Sequence, residues 1–553
     1  MSTFTPKLFT LIKNGYSSSE LRSDAIAGLT VAIVALPLAM ALAIASGTSP
    51  DKGLITAVIA GFMVSFLGGS RVQIGGPTGA FVVVIFNVIT QHGYDGLILA
   101  TLMAGVILLV SGYARMGQII KFIPHPVVTG FTAGIAVIIA SSQVKDFLGL
   151  KIDTVPADFI PKWAAYFNAI DTINMATLVV GLAALLIIVV FRRFAPKLPG
   201  YLIAVIVSAI VVAMFHVPVE TIGSRFPDIP TGLPLPQLPT WDFAKLQSVI
   251  PSAFIIAFLA GIEALLSAVV ADGMTGYKHR SNQELVGQGF ANIASGLFGG
   301  LPATGAIART ATNIKAGAKT PMAGIFHALF LLLFMFFAMD IIAFVPMAAL
   351  AAILFIVAWG MSEIGHFIHI FRLSRTDRAV MVLTFLLTVL VDLTVAIGVG
   401  VTLACLLFMK HMSEAVEIKS EWRKSNALYD KDTEYEAQRH DLPQGVEVFQ
   451  ITGPFFFGVA SDLVDTLKAM GQMPKVLILR LRLVPYLDAT GESALESVIK
   501  QCGDTGTQII LSGLQTQPMR MLKNAHIDEG KAHVSFAPDY ETALKKAEEI
   551  VHA

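Results

Sequence analysis

Gly75-Gly76-Pro77-Thr78-Gly79-Ala80-Phe81 opens an apolar run that ends near Thr90. Gly299-Gly300-Leu301-Pro302-Ala303-Thr304-Gly305-Ala306 opens a second, which carries Arg309 and ends near Lys315. Each run is about 14 residues, roughly 20 Å as a helix, too short to cross a bilayer core of about 30 Å. Gly and Pro interrupt a preceding helix and suit the first turn of a new one. The two stretches occupy corresponding places in the two halves of a very hydrophobic chain. That pattern predicts a carrier built from inverted repeats, with its site between two half-helix N-termini. Backbone N–H groups at such termini carry partial positive charge and favour an anion. The expected binding set is Gly76, Thr78, Gly79 and Ala80 at one start, and Gly305, Ala306 and Arg309 at the other, supported by Thr304.

Composition agrees. Of 553 residues, 55% are hydrophobic and 14% charged, with a mean hydropathy of +0.70. A soluble chain carries about 25% charged residues, so most of this one belongs in a lipid bilayer. Lys and Arg number 39, as do Asp and Glu, so bulk charge points to no nucleic-acid partner. Cys405 and Cys502 lie far apart in different kinds of sequence and suggest neither a disulfide framework nor a metal cluster. No metal, cofactor or enzymatic activity is expected. The N-terminus is polar through Asp24, so no cleaved signal peptide is read there.

Fourteen apolar segments follow a lead-in at residues 1–23. They fall near 24–46, 52–69, 77–90, 96–114, 123–144, 174–191, 199–217, 250–271, 286–301, 304–316, 320–338, 341–358, 379–392 and 394–411, with Asp392 marking the last turn. Basic loops follow the even-numbered segments: Arg71; Arg115 and Lys121; Arg192, Arg193 and Lys197; Lys278 and Arg280; Lys319; Arg372, Arg375 and Arg378. Loops after odd-numbered segments hold few basic residues, among them Lys151, Lys162, Arg225 and Lys245. Positive loops mark the cytoplasm, so both termini are expected inside. The membrane part is thus 24–411, with repeats 24–217 and 250–411. Seven segments per repeat, an odd number, makes the repeats inverted. A proline-rich linker at 218–249 joins them outside.

Polarity rises after Lys410. Residues 412–440 read as a charged linker and 441–553 as a small cytoplasmic α/β domain. Strands are expected at Val446–Thr452, Lys475–Leu481, Gln508–Ser512 and Ala532–Phe536, and helices near 460–471, 491–502, 516–524 and 540–552.

Glu263 lies deep in segment 8, where a carboxylate is expensive and marks function. It is the expected proton-coupling group, and Ser267 shares its face one turn on. Arg309 adds fixed positive charge beside the anion-binding amides and can grip a carboxylate in two places; an ion pair with Glu263 is the structural alternative. Thr78 and Thr304 offer hydroxyls, either to the anion or as helix N-caps. Lys145 and Asp146 are expected to pair at the end of segment 5. Ala316–Thr320, AGAKT, lacks the glycine spacing and preceding strand of a phosphate loop, so no nucleotide is expected there.

These residues resemble the SulP (sulfate permease) family of anion transporters along nearly the whole chain. The matching stretches are Asp24-Ala-Ile-Ala-Gly-Leu-Thr-Val-Ala-Ile, Gly75-Gly-Pro-Thr, Val270-Ala-Asp-Gly-Met-Thr-Gly and the Arg309-Thr to Lys319-Thr region. The last domain resembles the family's STAS domain through Leu487-Asp488-Ala489-Thr490-Gly491. The resemblance implies a seven-plus-seven inverted repeat, a core domain moving against a gate domain, and a homodimer. It also implies an anion site between the third and tenth helices, completed from helices 1 and 8, which brings in Leu38. Within the family, Leu36-Pro-Leu-Ala-Met-Ala-Leu-Ala-Ile, Ala271-Asp-Gly-Met-Thr-Gly-Tyr-Lys-His, Glu284-Leu-Val-Gly-Gln-Gly and Ala358-Trp-Gly-Met-Ser-Glu resemble bacterial C4-dicarboxylate carriers. Pro37-Leu38 replaces the Pro-Gln of many sulfate carriers. Ile307 stands where sodium-coupled bicarbonate members have threonine, and Glu263 where they have aspartate, which favours protons over sodium. Ala489 follows Asp488 where related anti-sigma antagonists carry a phosphorylatable serine, with Thr490 adjoining.

The expected function is proton-coupled uptake of small organic dianions such as succinate, fumarate or aspartate by alternating access in the inner membrane. Bicarbonate or sulfate transport is the alternative. A membrane scaffold or sensor whose STAS domain meets a cytoplasmic partner is a third reading, against which Glu263 and Arg309 argue, because a scaffold needs no buried charge.

Overall fold

In a computed structural model the described residues are 4–118, 124–152, 155–156, 158–195, 198–227, 230, 232–391, 393–414, 417–420, 442–456, 463, 473–527 and 533–552. The helix expected at 460–471 (except residue 463), the turn at Asp392 and most of the 412–440 linker fall outside them. The chain divides into two compact units, Met1–Thr402 and Leu403–Ala553.

The first unit is helical. A surface helix, Lys7–Asn14, precedes α1 (Ser18–Ala45), and α2 is Pro50–Leu67. One helical stretch, Ala80–Tyr113, is broken at Gly93 (φ 70°, ψ −179°), a conformation that glycine alone adopts without strain. The break yields α3 (80–92) and α4 (94–113). The remaining segments are α5 (His125–Ser142), α6 (Met175–Phe194), α7 (Gly200–Phe215), α8 (Phe243–Thr275), α9 (Ser281–Leu297), α10 (Ile307–Lys315), α11 (Met322–Phe337), α12 (Met347–Met361), α13 (Arg375–Leu390) and α14 (Leu393–Glu414). Their order and the shortness of α3 and α10 follow the expected fourteen.

Boundaries differ where a cap outweighs hydropathy. α1 begins six residues before Asp24, because Ser17 and Glu20 form a reciprocal capping box that satisfies two orphan amides. α8 begins at Phe243, where Asp242 accepts from the Lys245 N–H (2.6 Å), and runs through Pro251. α9 stops at Leu297, ahead of the tight turn through Gly299.

Packing sorts the helices into two groups. α4 lies against α8 and α9, α1 against α11, and α2 against α9 and α11; this is the core group. α5 lies against α12 and α13, and α6 against α7 and α12; this is the gate group. Gly400 of α14 approaches Thr384 of α13 and Val127 of α5. Close approaches at small residues suit helix association in lipid, where no hydrophobic gain drives it.

The second unit holds a five-stranded sheet in the order β3 (Glu417–Ser420), β4 (Val446–Thr452), β5 (Val476–Leu483), β6 (Gln508–Ser512) and β7 (Val534–Ala537). β3 is antiparallel to β4 and the other pairs are parallel. β3 arises within the stretch read as linker. α15 (Ala489–Thr505) and α16 (Thr516–Asn524) bring Leu495, Val498 and Leu522 onto one face with Phe449, Leu477 and Leu479. α17 (Tyr540–His552) brings Ala543 and Ala547 onto the other with Val446, Val448 and Ile478. Coverage on both faces explains why these strands read as continuous apolar runs.

Candidate functional site

Two two-residue strands join the halves of the first unit. β1 (Gly75–Gly76) pairs antiparallel with β2 (Thr304–Gly305), with Gly75 opposite Gly305 and Gly76 opposite Thr304. The Ala306 N–H extends the ladder to the Ile74 carbonyl (2.8 Å). Gly76 has the positive φ (152°) that favours glycine, and a side chain at either glycine would displace what lies beside it. A Cβ on Gly305 would sit 1.4 Å from the Gln73 amide nitrogen, and one on Gly76 would sit 2.3 Å from Arg309 Nη1. The pairing sets the N-terminus of α3 near that of α10. Neither start has a side-chain cap, the cap residues being Gly79 and Ala306. At α3 the Phe81 and Val82 N–H groups already donate to the Thr78 and Gly79 carbonyls (3.3 and 3.1 Å), but no side chain neutralises either terminus, so two positive helix ends share one place.

Arg309 is 3% exposed. Its Nη2 donates to the Pro77 carbonyl (2.9 Å), and its Nε and Nη1 have no partner among the described residues. It forms no ion pair with Glu263. The Glu263 carboxylate accepts instead from Thr78 Oγ1 (2.8 Å), which ties α8 to the start of α3. Thr304 Oγ1 donates to the Ala260 carbonyl (2.7 Å), one turn before Glu263. Neither threonine is a helix cap; each links a half-helix lead-in to α8. Ser267 donates to Thr310 Oγ1 (3.1 Å), which also accepts from the Ile74 N–H (3.1 Å). Ala80 is buried, and Ala306 nearly so. Gly79 faces the gate group: Met361 and Ile139 lie against it. Leu38 is buried in α1 within the apolar core.

Sequence reasoning passed over several partners. Thr310, Gln73 and Asn313 are buried beside the strand pair, and Asn313 Nδ2 donates to the Val72 carbonyl (2.8 Å). His327 is fully buried in α11, with both ring nitrogens unpartnered among the described residues. A lone histidine in so apolar a helix was the available signal.

The expected Lys145–Asp146 pair is not formed. Asp146 takes Arg225 in two places (3.2 and 2.7 Å), and Arg225 also holds Glu220. Lys145 donates to the Ile152 carbonyl (2.6 Å). A guanidinium fork from a sequence-distant loop fits two carboxylate oxygens better than the neighbouring ammonium does. In the loop after Lys315, the Asp24 carboxylate accepts from the Lys319 N–H (2.7 Å), the Thr320 N–H (3.2 Å) and the Thr320 hydroxyl. AGAKT is thus bound to the start of α1. In the second unit, Asp488 accepts from the Gly491 N–H (2.7 Å) and caps α15, with Thr490 exposed beside it.

A model of the sulfate permease family matches residues 21–384, and one of the STAS domain matches residues 439–543. The putative sulfate transporter YvdB of Bacillus subtilis is 41% identical over 523 residues, covering 94% of this chain and 97% of its own. The bicarbonate transporter BicA of Picosynechococcus is 33% identical over 558 residues, covering 97% of this chain and 96% of its own. The solved transmembrane domain of a cyanobacterial BicA superimposes with a TM-score of 0.63 at 33% identity, covering 69% of this chain and 99% of that one. Murine Slc26a9 in its inward-facing state has the same fold, with a TM-score of 0.86 at 19% identity, covering 99% of this chain and 94% of that one.

Proposed function

This chain belongs to the sulfate permease family, and from that premise we propose how its anion is bound and what drives it. It is a multi-pass membrane anion transporter with a C-terminal STAS domain. The anion sits between the starts of α3 and α10 and is carried across as the core group moves against the gate group. The observation that carries this reading is Arg309, buried between two uncapped helix ends with two donors unpartnered. A guanidinium with unused N–H donors suits an oxyanion. On this reading the substrate is a small carboxylate, a C4-dicarboxylate such as succinate, fumarate or aspartate. The names of the relatives favour a second reading, bicarbonate or sulfate.

Glu263 couples transport to protons. Thr78 joins it to the lead-in of α3, so its protonation state and the anion beside it share one environment. Both termini lie in the cytoplasm, the side that the basic loops favour, and the carrier sits in the inner membrane. The STAS unit, from about residue 440, meets a cytoplasmic partner, and the whole acts as a homodimer.

Uptake of radiolabelled succinate, bicarbonate and sulfate into proteoliposomes, with and without an inward proton gradient, tests the reading. Succinate accumulation that rises with the gradient is expected. Preference for bicarbonate or sulfate selects the second reading. Absence of flux with all three, in correctly folded protein, removes the transport reading.

A further inference from the structure

Outward from the half-helix site, a cavity of about 150 Å³ separates the two groups of helices. Ile44 and Ala45, at the end of α1 far from the N-terminus, form one wall together with Val82 and Asn87 of α3. The other wall comes from the end of α5 and from a helix in the loop that follows it, Phe159–Asn168. Val82 lies in the first turn of α3 and Asn87 later in the same helix, so the cavity follows roughly 7.5 Å of it. Its inner end, at Val82, is three residues along α3 from Gly79.

Lys162 and Tyr166, one turn apart on the loop helix, line this cavity. They are only 6% and 4% exposed. The Tyr166 hydroxyl has no hydrogen-bond partner, and no acidic side chain pairs with the Lys162 ammonium among the described residues. Asp146 also lines the space, but both its oxygens are taken by Arg225. The loop helix is tied to α5, where Trp163 Nε1 donates to Ser141 Oγ (3.2 Å). Burial pulls the Lys162 pKa below its ordinary value, with Asp158 opposing. An ammonium so placed is costly without an anion, and surface lysines are ordinarily not buried at all.

We propose that Lys162 and Tyr166 form an outer holding site for a small oxyanion, on the route between the outside and Arg309. The ammonium supplies the charge and the phenol one donor, and the apolar wall from α1 and α3 limits the anion's size. The inference rests on the transport reading above, and adds a second site to it on the gate side.

The test is the Michaelis constant measured from each face of oriented proteoliposomes. The probe is radiolabelled succinate, or bicarbonate or sulfate where wild type carries those instead. Lys162→Ala should raise the outer-face KM about tenfold, the scale for losing one desolvated charge–charge contact. It should leave the inner-face KM within about twofold, while efflux slows in maximal rate, because the substitution leaves the overall transport equilibrium unchanged. Tyr166→Phe should give a smaller rise on the same face, and Lys162→Arg should keep near-wild-type values. An unchanged outer KM in monodisperse Lys162→Ala protein would overturn the proposal. So would equal rises on both faces, which would mark Lys162 as structural. A wild type that carries none of the three anions would remove the transport reading itself.

Discussion

Arg309 has one nitrogen engaged and two unpartnered, in a place closed to bulk water. An arginine left so is costly unless an anion completes it. Arg309→Ala should weaken substrate binding tenfold or more, about 1.4 kcal/mol, read by calorimetry or by KM. Arg309→Lys should recover only part, because it keeps the charge and loses the planar fork. Unchanged affinity in folded Arg309→Ala protein would reassign the side chain to holding the Pro77 carbonyl. Glu263 poses a separate question. Its partner is a neutral hydroxyl, so Glu263→Gln keeps the shape and can still bond to Thr78. The variant should bind anion and exchange it across the bilayer, yet fail to concentrate it under an inward proton gradient. Gradient-driven accumulation by Glu263→Gln would place the coupling group elsewhere, with buried His327 the next residue to test.

Among the elements, the strand pair has the least room for change. A methyl at Gly305 meets the Gln73 side chain and one at Gly76 meets Arg309. Overpacking of this kind ordinarily costs about 1–3 kcal/mol. Gly305→Ala should therefore lower the thermal midpoint and reduce transport together. Gly273, with open space around its Cβ position, is the control: Gly273→Ala should leave both nearly unchanged. A Gly305→Ala protein of wild-type stability and activity would show that the two lead-ins need not pair. In the STAS sheet, Cys502 of α15 is packed against the strands, and burial pushes its thiol up to about 11. At pH 8 only about one thousandth is thiolate, the reactive form. Iodoacetamide should spare Cys502 in native protein and modify it after denaturation. Fast native labelling, traced by peptide mass, would mean that α15 does not pack as described.

For the whole molecule, orientation is the open quantity that loop charge predicts. Gln237 is exposed in the linker between the repeats, and Tyr277 is exposed in the loop between α8 and α9. In a cysteine-free background, a cysteine at 237 should react with an impermeant maleimide added to sealed cells, and one at 277 should not. The reverse result would invert the orientation and exchange the two faces in every transport experiment above. The helices divide into a core and a gate group, and the proposed anion site lies where the Gly79 start of α3 meets Ile139 and Met361 of the gate group.

Much of this was legible along the chain because the signals are local. Composition and the length of apolar runs determined the membrane class. Glycine and proline at fixed offsets marked the half-helices. Continuous apolar strands flanked by amphipathic helices marked the STAS sheet. What tertiary structure decided was partnership. That Gly75 faces Gly305, that Thr78 gives its hydroxyl to a carboxylate 185 residues away, and that Asp146 takes Arg225 over adjacent Lys145 follow from packing of distant segments. Lys162 shows the difference most plainly. In sequence it is one more basic residue in an outer loop, and in the fold it is buried in the wall of a cavity. Residue type and periodicity act over a few neighbours, whereas burial and hydrogen-bond partners depend on which surfaces meet once the helices have packed.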